Sequence, residues 1–208
     1  MKAKRRYEIN KGKKSFEVKV IDPGEYKEEL YSVQVDAFSA YPEKYRPSVD
    51  KQDFLLNIDN WRVFTILGCF YRETGELTGY ALLAEESESY IDFKSMRTIP
   101  AYEKYSVNAA LVEGVLRHYD GFLRDGGYIC DGSRSINHET AFQEYLEKYF
   151  GFRKAYCKLH MVYNPKVKWI IKLLYPIRRF LMKLDRIGKI HQLNSVLRME
   201  EIAREYNE

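Results

Sequence analysis

Two apolar runs, Val63 to Phe70 and Leu77 to Ala84, are separated by little more than Arg72-Glu73-Thr74-Gly75-Glu76. So short a polar connection between two strand-length segments requires a β-hairpin, with Gly75 in the turn. Tyr90 to Thr98 reads as a third strand, with Asp92, Lys94 and Met96 on one face and Ile91 and Phe93 on the other. Pro100 ends it. Upstream, Phe16, Val18 and Val20 alternate with Glu17 and Lys19, the period of a half-buried strand. A helix start follows: Asp22 can cap, Pro23 suits a first helical position, and Glu25 stands three residues after the cap. Tyr26, Leu30, Val33 and Ala37 then trace one helical stripe, which predicts a helix over 23–39. Residues 40–47 read as a loop and 50–58 as a short second helix.

Beyond the third strand of that run, Ala110, Leu111, Gly114, Val115 and Phe122 share a helical face from Val107 to the Asp125-Gly126-Gly127 stop. His118 shares that face and reads as a partly buried, hydrogen-bonded histidine rather than a catalytic one. A short strand over 128–131, a polar loop over 132–137 and a helix over 139–150, packing through Phe142, Tyr145, Leu146 and Tyr149, come next. Ala155, Cys157, Leu159 and Met161 predict a last strand. With 208 residues and 45% apolar content, the chain can bury one generous core, or one core plus an appendage. The expected organisation is a flexible basic arm over 1–15, an α/β domain over 16–163 and a helical extension over 164–208.

Charge and cysteine usage narrow the function class. No apolar run approaches the ~20 residues of a membrane span, and the basic start is followed by polar residues rather than a secretory apolar run. A cytoplasmic location is expected. Cys69, Cys130 and Cys157 are widely spaced and read as buried thiols, and the four histidines show no metal-ligand spacing. From Pro165 to His191 there are eight cations and one acid, a net +7 in a chain whose total is +4. A basic tail therefore follows a mildly acidic body.

The segment Pro100-Ala101-Tyr102-Glu103-Lys104-Tyr105-Ser106-Val107-Asn108, followed by Ala109, Ala110 and Leu111, resembles the acyl-CoA loop and helix of the GNAT family of N-acetyltransferases. Glu103 stands where that loop has a cation, and Ser106 and Asn108 where it has glycines. Asn137, Ala141, Phe142, Tyr145, Lys148, Gly151 and Phe152 resemble a second family run, and the element order is similar over residues 16–163. The resemblance implies a central mixed sheet flanked by helices, and transfer of an acetyl or other acyl group from acyl-CoA to a small-molecule or peptide amine by direct attack. It implies cofactor contacts from Met96, Thr98, Lys104, Tyr105, Ser106, Val107 and Asn108, in a wedge where the strands of Met96 and Cys130 part. A pyrophosphate would sit on main-chain N–H groups at the helix N-terminus, where the dipole favours anions. Glu103 opposes that charge.

For the chemistry, Asp92 is the preferred base, with Glu85 and Glu86 as alternatives; a carboxylate paired with Lys94 is the plainer account of Asp92. Tyr145 or Tyr149 would donate a proton to the leaving group, although Tyr145 also fits its helix's apolar stripe. Ser133, Arg134 and Asn137 follow a strand's C-terminal end and are candidate substrate contacts, Arg134 as an anion clamp; a capping loop with Asn137 as the cap fits equally well. The Lys148 to Phe152 segment also resembles the FemAB-like aminoacyl transferases, which take their acyl group from aminoacyl-tRNA, and that is the alternative donor. A non-catalytic module of the same fold is the other alternative.

In the C-terminal region, Ile170, Leu173, Leu174, Ile177, Phe180, Leu181 and Leu184 form one stripe, opposite Lys168, Lys172, Arg179, Lys183 and Arg186, with a break expected near Pro176. Three partners are open for this stripe over 165–208: the body or a second subunit, an anionic lipid surface at the inner membrane, or nucleic acid.

Overall fold

The computed structural model describes residues 3–41, 43, 46–132, 141–156, 158–185 and 188–205. Two compact units divide at residues 132 and 133.

The first unit is built on one five-stranded sheet in the order β1-β2-β3-β4-β5. Its strands are β1 (Phe16–Val20), β2 (Thr65–Tyr71), β3 (Leu77–Ser87), β4 (Tyr90–Thr98) and β5 (Tyr128–Cys130). The first four pair antiparallel and β5 joins β4 in parallel. The hairpin turns where expected, with Gly75 at φ 74°, a left-handed conformation that costs glycine nothing. A mixed sheet flanked by helices, with a helical C-terminal segment, is the architecture the resemblance implies.

Helix α2 (Lys27–Ser39) covers one face of the sheet. Its Leu30 and Val33 are fully buried with Ile66, Phe70, Tyr80 and Leu82, the periodicity of three and four meeting the strand period of two. The helix begins four residues later than predicted. Asp22 accepts from the Gly24 N–H at 2.6 Å, closing a local turn instead of capping a helix, and Tyr26 stands at the cap without a side-chain bond. Helix α3 (Lys51–Asn57) is capped by Asp50, which accepts from the Asp53 N–H at 2.9 Å.

On the opposite face lies α4 (Val107–His118), across β1, β2 and β3. Val107, Leu111 and Val115 are buried there, as are Leu67, Ala81 and Leu83 of the strands. The predicted single helix breaks at Tyr119, beyond which α5 (Asp120–Arg124) begins. His118 is exposed and stands edge-on to Tyr119 at 4.6 Å, so it is not the buried histidine expected. It is the last residue of α4, where the buried stripe ends. The basic arm is also different: residues Ala3–Ser15 form helix α1, which packs on α4.

In the second unit, α6 (Ala141–Phe150), α7 (Pro165–Leu174), α8 (Arg178–Met182) and α9 (Gly188–Glu205) are helical, with a 3-10 turn at Tyr175–Ile177. The break expected near Pro176 is present. No strand forms among the described residues of 151–164, so the predicted last strand, built on Ala155, Cys157, Leu159 and Met161, is absent there; Cys157 itself lies outside the described residues. Alternation supplied the face without a neighbouring strand to complete a ladder.

Candidate active site

β4 and β5 are paired only at Tyr90 with Tyr128, Ile91 with Ile129 and Asp92 with Cys130. β4 continues for six more residues to Thr98, bonded on its other side to β3. Beyond Asp92 that edge of β4 therefore has no strand partner among the described residues, which leaves a gap in the ladder there. β4 is itself irregular beside it. Leu82 faces Ser95 and Leu83 faces Phe93, which leaves Lys94 as an extra residue in β4. An extra residue of this kind bends a strand and increases its local twist.

Asp92 occupies the fork, as the last paired residue of β4. Its side chain is 16% exposed, and Oδ2 holds the Lys94 Nζ at 2.6 Å. Lys94 also reaches Glu86 at 2.7 Å, and these two carboxylates hold its ammonium pKa above the usual lysine range. The plainer account of Asp92, a carboxylate paired with Lys94, describes this arrangement. Tyr90 precedes Asp92 by two residues, on the same side of the strand, and its ring stacks on Tyr128 at 5.1 Å. Burial, with the Asp92 and Cys130 charges beside it, pushes the Tyr90 phenol up to about 12. Sequence reasoning missed Tyr90 because it saw only the first residue of a strand; its place beside the fork depends on the β5 pairing.

Glu85 is elsewhere. It pairs with Ile91, whereas Asp92 pairs with Ala84, so the two carboxylates project from opposite faces of the sheet. Glu85 Oε1 accepts from the Thr65 and Tyr119 hydroxyls, both at 3.1 Å, fastening β2 and the end of α4 to β3. One site cannot use both carboxylates.

At the far end of the gap, Thr98 Oγ1 donates to Asn108 Oδ1 at 2.7 Å, tying β4 to the first turn of α4. Ser106 sits at the helix junction with φ 68°, the one non-glycine residue among those described with positive φ. The left-handed geometry that glycine would adopt freely is kept by a serine, at a cost of roughly 1–2 kcal/mol. Its amide donates to the Glu103 carbonyl at 2.9 Å. Lys104 and Glu103 are exposed, and the Lys104 ammonium lies 5.0 Å from the Tyr105 ring centre. Tyr102 donates to Glu76 at 2.6 Å, fixing the 3-10 turn Pro100–Tyr105 to the β2–β3 hairpin; this bond pushes the phenol up to about 12.

Helix α1 lies against the start of α4. Ser106 Oγ donates to Glu8 Oε2 at 2.5 Å, and Lys13 pairs with Glu113 of α4 at 2.9 Å. Gly12 presses so closely that a Cβ there would stand 2.8 Å from the Ser106 carbonyl oxygen and 2.9 Å from the Ala110 nitrogen. Ser106 and Ala110, which Gly12 approaches, are buried. No side chain caps α4, and the carboxylate of Glu8 bonds the junction residue at its positive end. Sequence reasoning missed this contact because Glu8 and Ser106 lie 98 residues apart.

Tyr145 and Tyr149 belong to α6 in the second unit. Their rings stand 4.9 Å apart, and Tyr145 lies 5.7 Å from Phe150, in an aromatic cluster of that helix. Ser133, Arg134 and Asn137 lie outside the described residues. Cys69 is buried, which pushes its thiol up to about 12, and Cys130 is partly exposed beside the fork. Two shallow grooves lie away from the gap. One of about 330 Å³ between β1 and α4 includes Lys19, Arg117 and His118; one of about 310 Å³ includes Tyr26, Phe70 and Ile99. Among the described residues no cluster of His, Cys, Asp or Glu could hold a metal.

No family model matches the sequence, and no curated protein matches it. Among solved structures, the chain is similar to L-PGS from Bacillus licheniformis, at 17% identity and a TM-score of 0.49, over 71% of this chain and 50% of that one. It is similar to the aminoglycoside acetyltransferase AAC(6')-Iy in complex with a bisubstrate analogue, at 10% identity and a TM-score of 0.48, over 72% and 98%. An acetyltransferase from Trypanosoma brucei matches at 16% identity and a TM-score of 0.42, over 71% and 99%.

Proposed function

We propose that this chain transfers an acyl group to an amine in the gap between β4 and β5. The observation that supports this reading is the end of the β4–β5 pairing at Asp92 and Cys130, next to the extra residue Lys94 of β4. An acyl donor laid in the gap would meet the free edge of β4, where main-chain N–H groups can stabilise the oxyanion of a tetrahedral intermediate. The amine's nitrogen bonds to the acyl carbon, and the bond to the leaving sulfur or oxygen then breaks. On this reading Asp92 takes the proton that the amine loses, and the Tyr90 phenol, protonated at neutral pH, supplies one to the leaving group.

The donor first considered is acyl-CoA. Its pyrophosphate would have to seat at the start of α4, and Glu8 and Gly12 stand there. Acyl-CoA binding on this reading requires α1 to move. The same contact favours a second reading, an aminoacyl ester such as aminoacyl-tRNA, whose reacting end has no pyrophosphate to place on α4.

Thermal-shift titration with acetyl-CoA on the intact chain and on Glu8→Ala separates the two. Ligand at 100 times its dissociation constant adds about 2.7 kcal/mol of stability. A shift that appears or grows in Glu8→Ala supports acyl-CoA behind a covering helix. No shift in either protein up to millimolar cofactor excludes acyl-CoA and leaves the aminoacyl ester, to be tested by transfer from charged tRNA; no transfer there either ends the acyltransferase reading.

A further inference from the structure

The second unit carries a surface that acyl transfer does not use. Along α7, the 3-10 turn and α8, the apolar residues divide into two stripes. Ile171 is buried, and Leu174 and Leu181 are partly covered. α9 holds this inner side: Arg178 pairs with Glu201 at 2.8 Å, Asn194 donates to the Leu181 carbonyl at 3.0 Å and to Asp185 at 2.7 Å, and His191 meets Asp185 at 3.0 Å. The outer stripe is Ile170, Leu173, Ile177, Phe180 and Leu184, at alternating spacings of three and four, with Trp169 at its edge. Leu173 is 76% exposed, Trp169 71% and Phe180 63%. Within the second unit, no described residue therefore covers it.

The cations define what can. Lys168, Lys172, Arg179 and Lys183 are exposed and fall together roughly a quarter-turn or more from the centre of the apolar stripe, at 3.6 residues per turn. No acidic residue occurs from 165 to 184. Lys172 lies 5.3 Å from the Trp169 ring centre, an ammonium beside an indole at the stripe's border. Nucleic acid would engage the cations and leave five large apolar side chains in water. A second copy would bring the same row of cations against these. A bilayer with anionic headgroups takes both, the apolar stripe among the acyl chains and the cations at the phosphates, with the indole at the level between.

We infer that the outer face of α7 and α8 is a docking surface for an anionic lipid bilayer. Among the described residues no helix is long and apolar enough to cross a membrane, so attachment is to one leaflet. This inference rests on the exposed face and is independent of the acyl-transfer reading.

The test is flotation of the full-length protein with vesicles of phosphatidylcholine alone, or mixed equally with phosphatidylglycerol. The expected result is binding to the mixed vesicles only, weakened by salt, with a blue shift in tryptophan emission that Trp169→Phe removes; Trp61, packed on Phe54 and Tyr80, stays silent. Each cation near such a surface strengthens binding about fivefold, so Lys172→Gln, Arg179→Gln and Lys183→Gln together should weaken it on the order of a hundredfold. Leu173→Ser with Phe180→Ser should abolish the blue shift; both residues face solvent, so an unchanged circular dichroism spectrum confirms an intact fold. Three results overturn the inference: no binding to either vesicle, equal binding to both, or a dimer in solution that the double serine variant dissolves while the vesicles bind nothing.

Discussion

Gly12→Ala is the most direct challenge to the packing of α1 on α4. The added Cβ would meet the Ser106 carbonyl oxygen at 2.8 Å, the Ala110 nitrogen at 2.9 Å and the Ala110 Cβ at 3.1 Å. The first two are backbone atoms, which cannot swing aside as a flexible side chain can, so α1 must back away by about half an ångström or more to reach ordinary contact. Overpacking of this kind costs roughly 1–3 kcal/mol. Alanine also favours the helix over glycine by about 1 kcal/mol, but it does so whether or not α1 is docked, so that gain leaves the docking equilibrium unchanged. The polar contacts opposing release are few. The Glu8 bond to Ser106 contributes about 1.5–3 kcal/mol as a hydrogen bond to a charged group, and the exposed Lys13–Glu113 pair about 0.2–1 kcal/mol. Against so small a sum, the substitution should weaken docking roughly 5- to 150-fold. Amide hydrogen exchange read by mass spectrometry should then show lost protection over residues 3–15 and 106–110, with the sheet unchanged. Unaltered protection in both segments, or a higher melting temperature with no faster exchange, would refute the close approach of Gly12 to α4.

Two further outcomes follow from the titratable groups. Burial, or a bonded carboxylate, raises the Tyr90, Tyr102 and Tyr119 phenols to about 12 from an ordinary value of 10.0. The unfolded chain therefore loses these protons first, so their contribution is fully present below pH 10 and falls as pH rises towards 12; absorbance titration at 295 nm should show a late class of tyrosines, and its absence counts against these sites. Iodoacetamide followed by peptide mass mapping should modify Cys130 in the native protein and spare Cys69 until denaturant is added, since Cys130 is partly exposed and Cys69 is buried; early labelling of Cys69 would contradict its burial.

Residue pattern alone determined the sheet's skeleton. The alternation at Phe16, Val18 and Val20, the hairpin around Gly75 and the run from Tyr90 to Thr98 each became a strand, because a period of two is a local property that the backbone imposes on any half-buried ribbon. The stripe of Leu30 and Val33 and the stripe of Leu111 and Val115 became helices for the same reason. The break at Pro176 was legible in a single ring that cannot donate a hydrogen bond.

What the sequence could not determine depends on distance through space. Asp92 and Glu85 looked equivalent until the pairing with Ala84 and Ile91 put them on opposite faces. The last strand failed because alternation specifies a face but not a partner. The basic residues 3–15 carry almost no apolar stripe, so nothing local foretold a helix there; its place is set by Gly12, small enough to let two backbones meet, and by a carboxylate finding a serine 98 residues away. The apolar stripe near the C-terminus was visible, but only the packing of α9 against one side decided which of its residues face inward and which are left to water. Periodicity is written along the chain. Which atoms oppose one another is settled only when separate elements compete for the same buried surface.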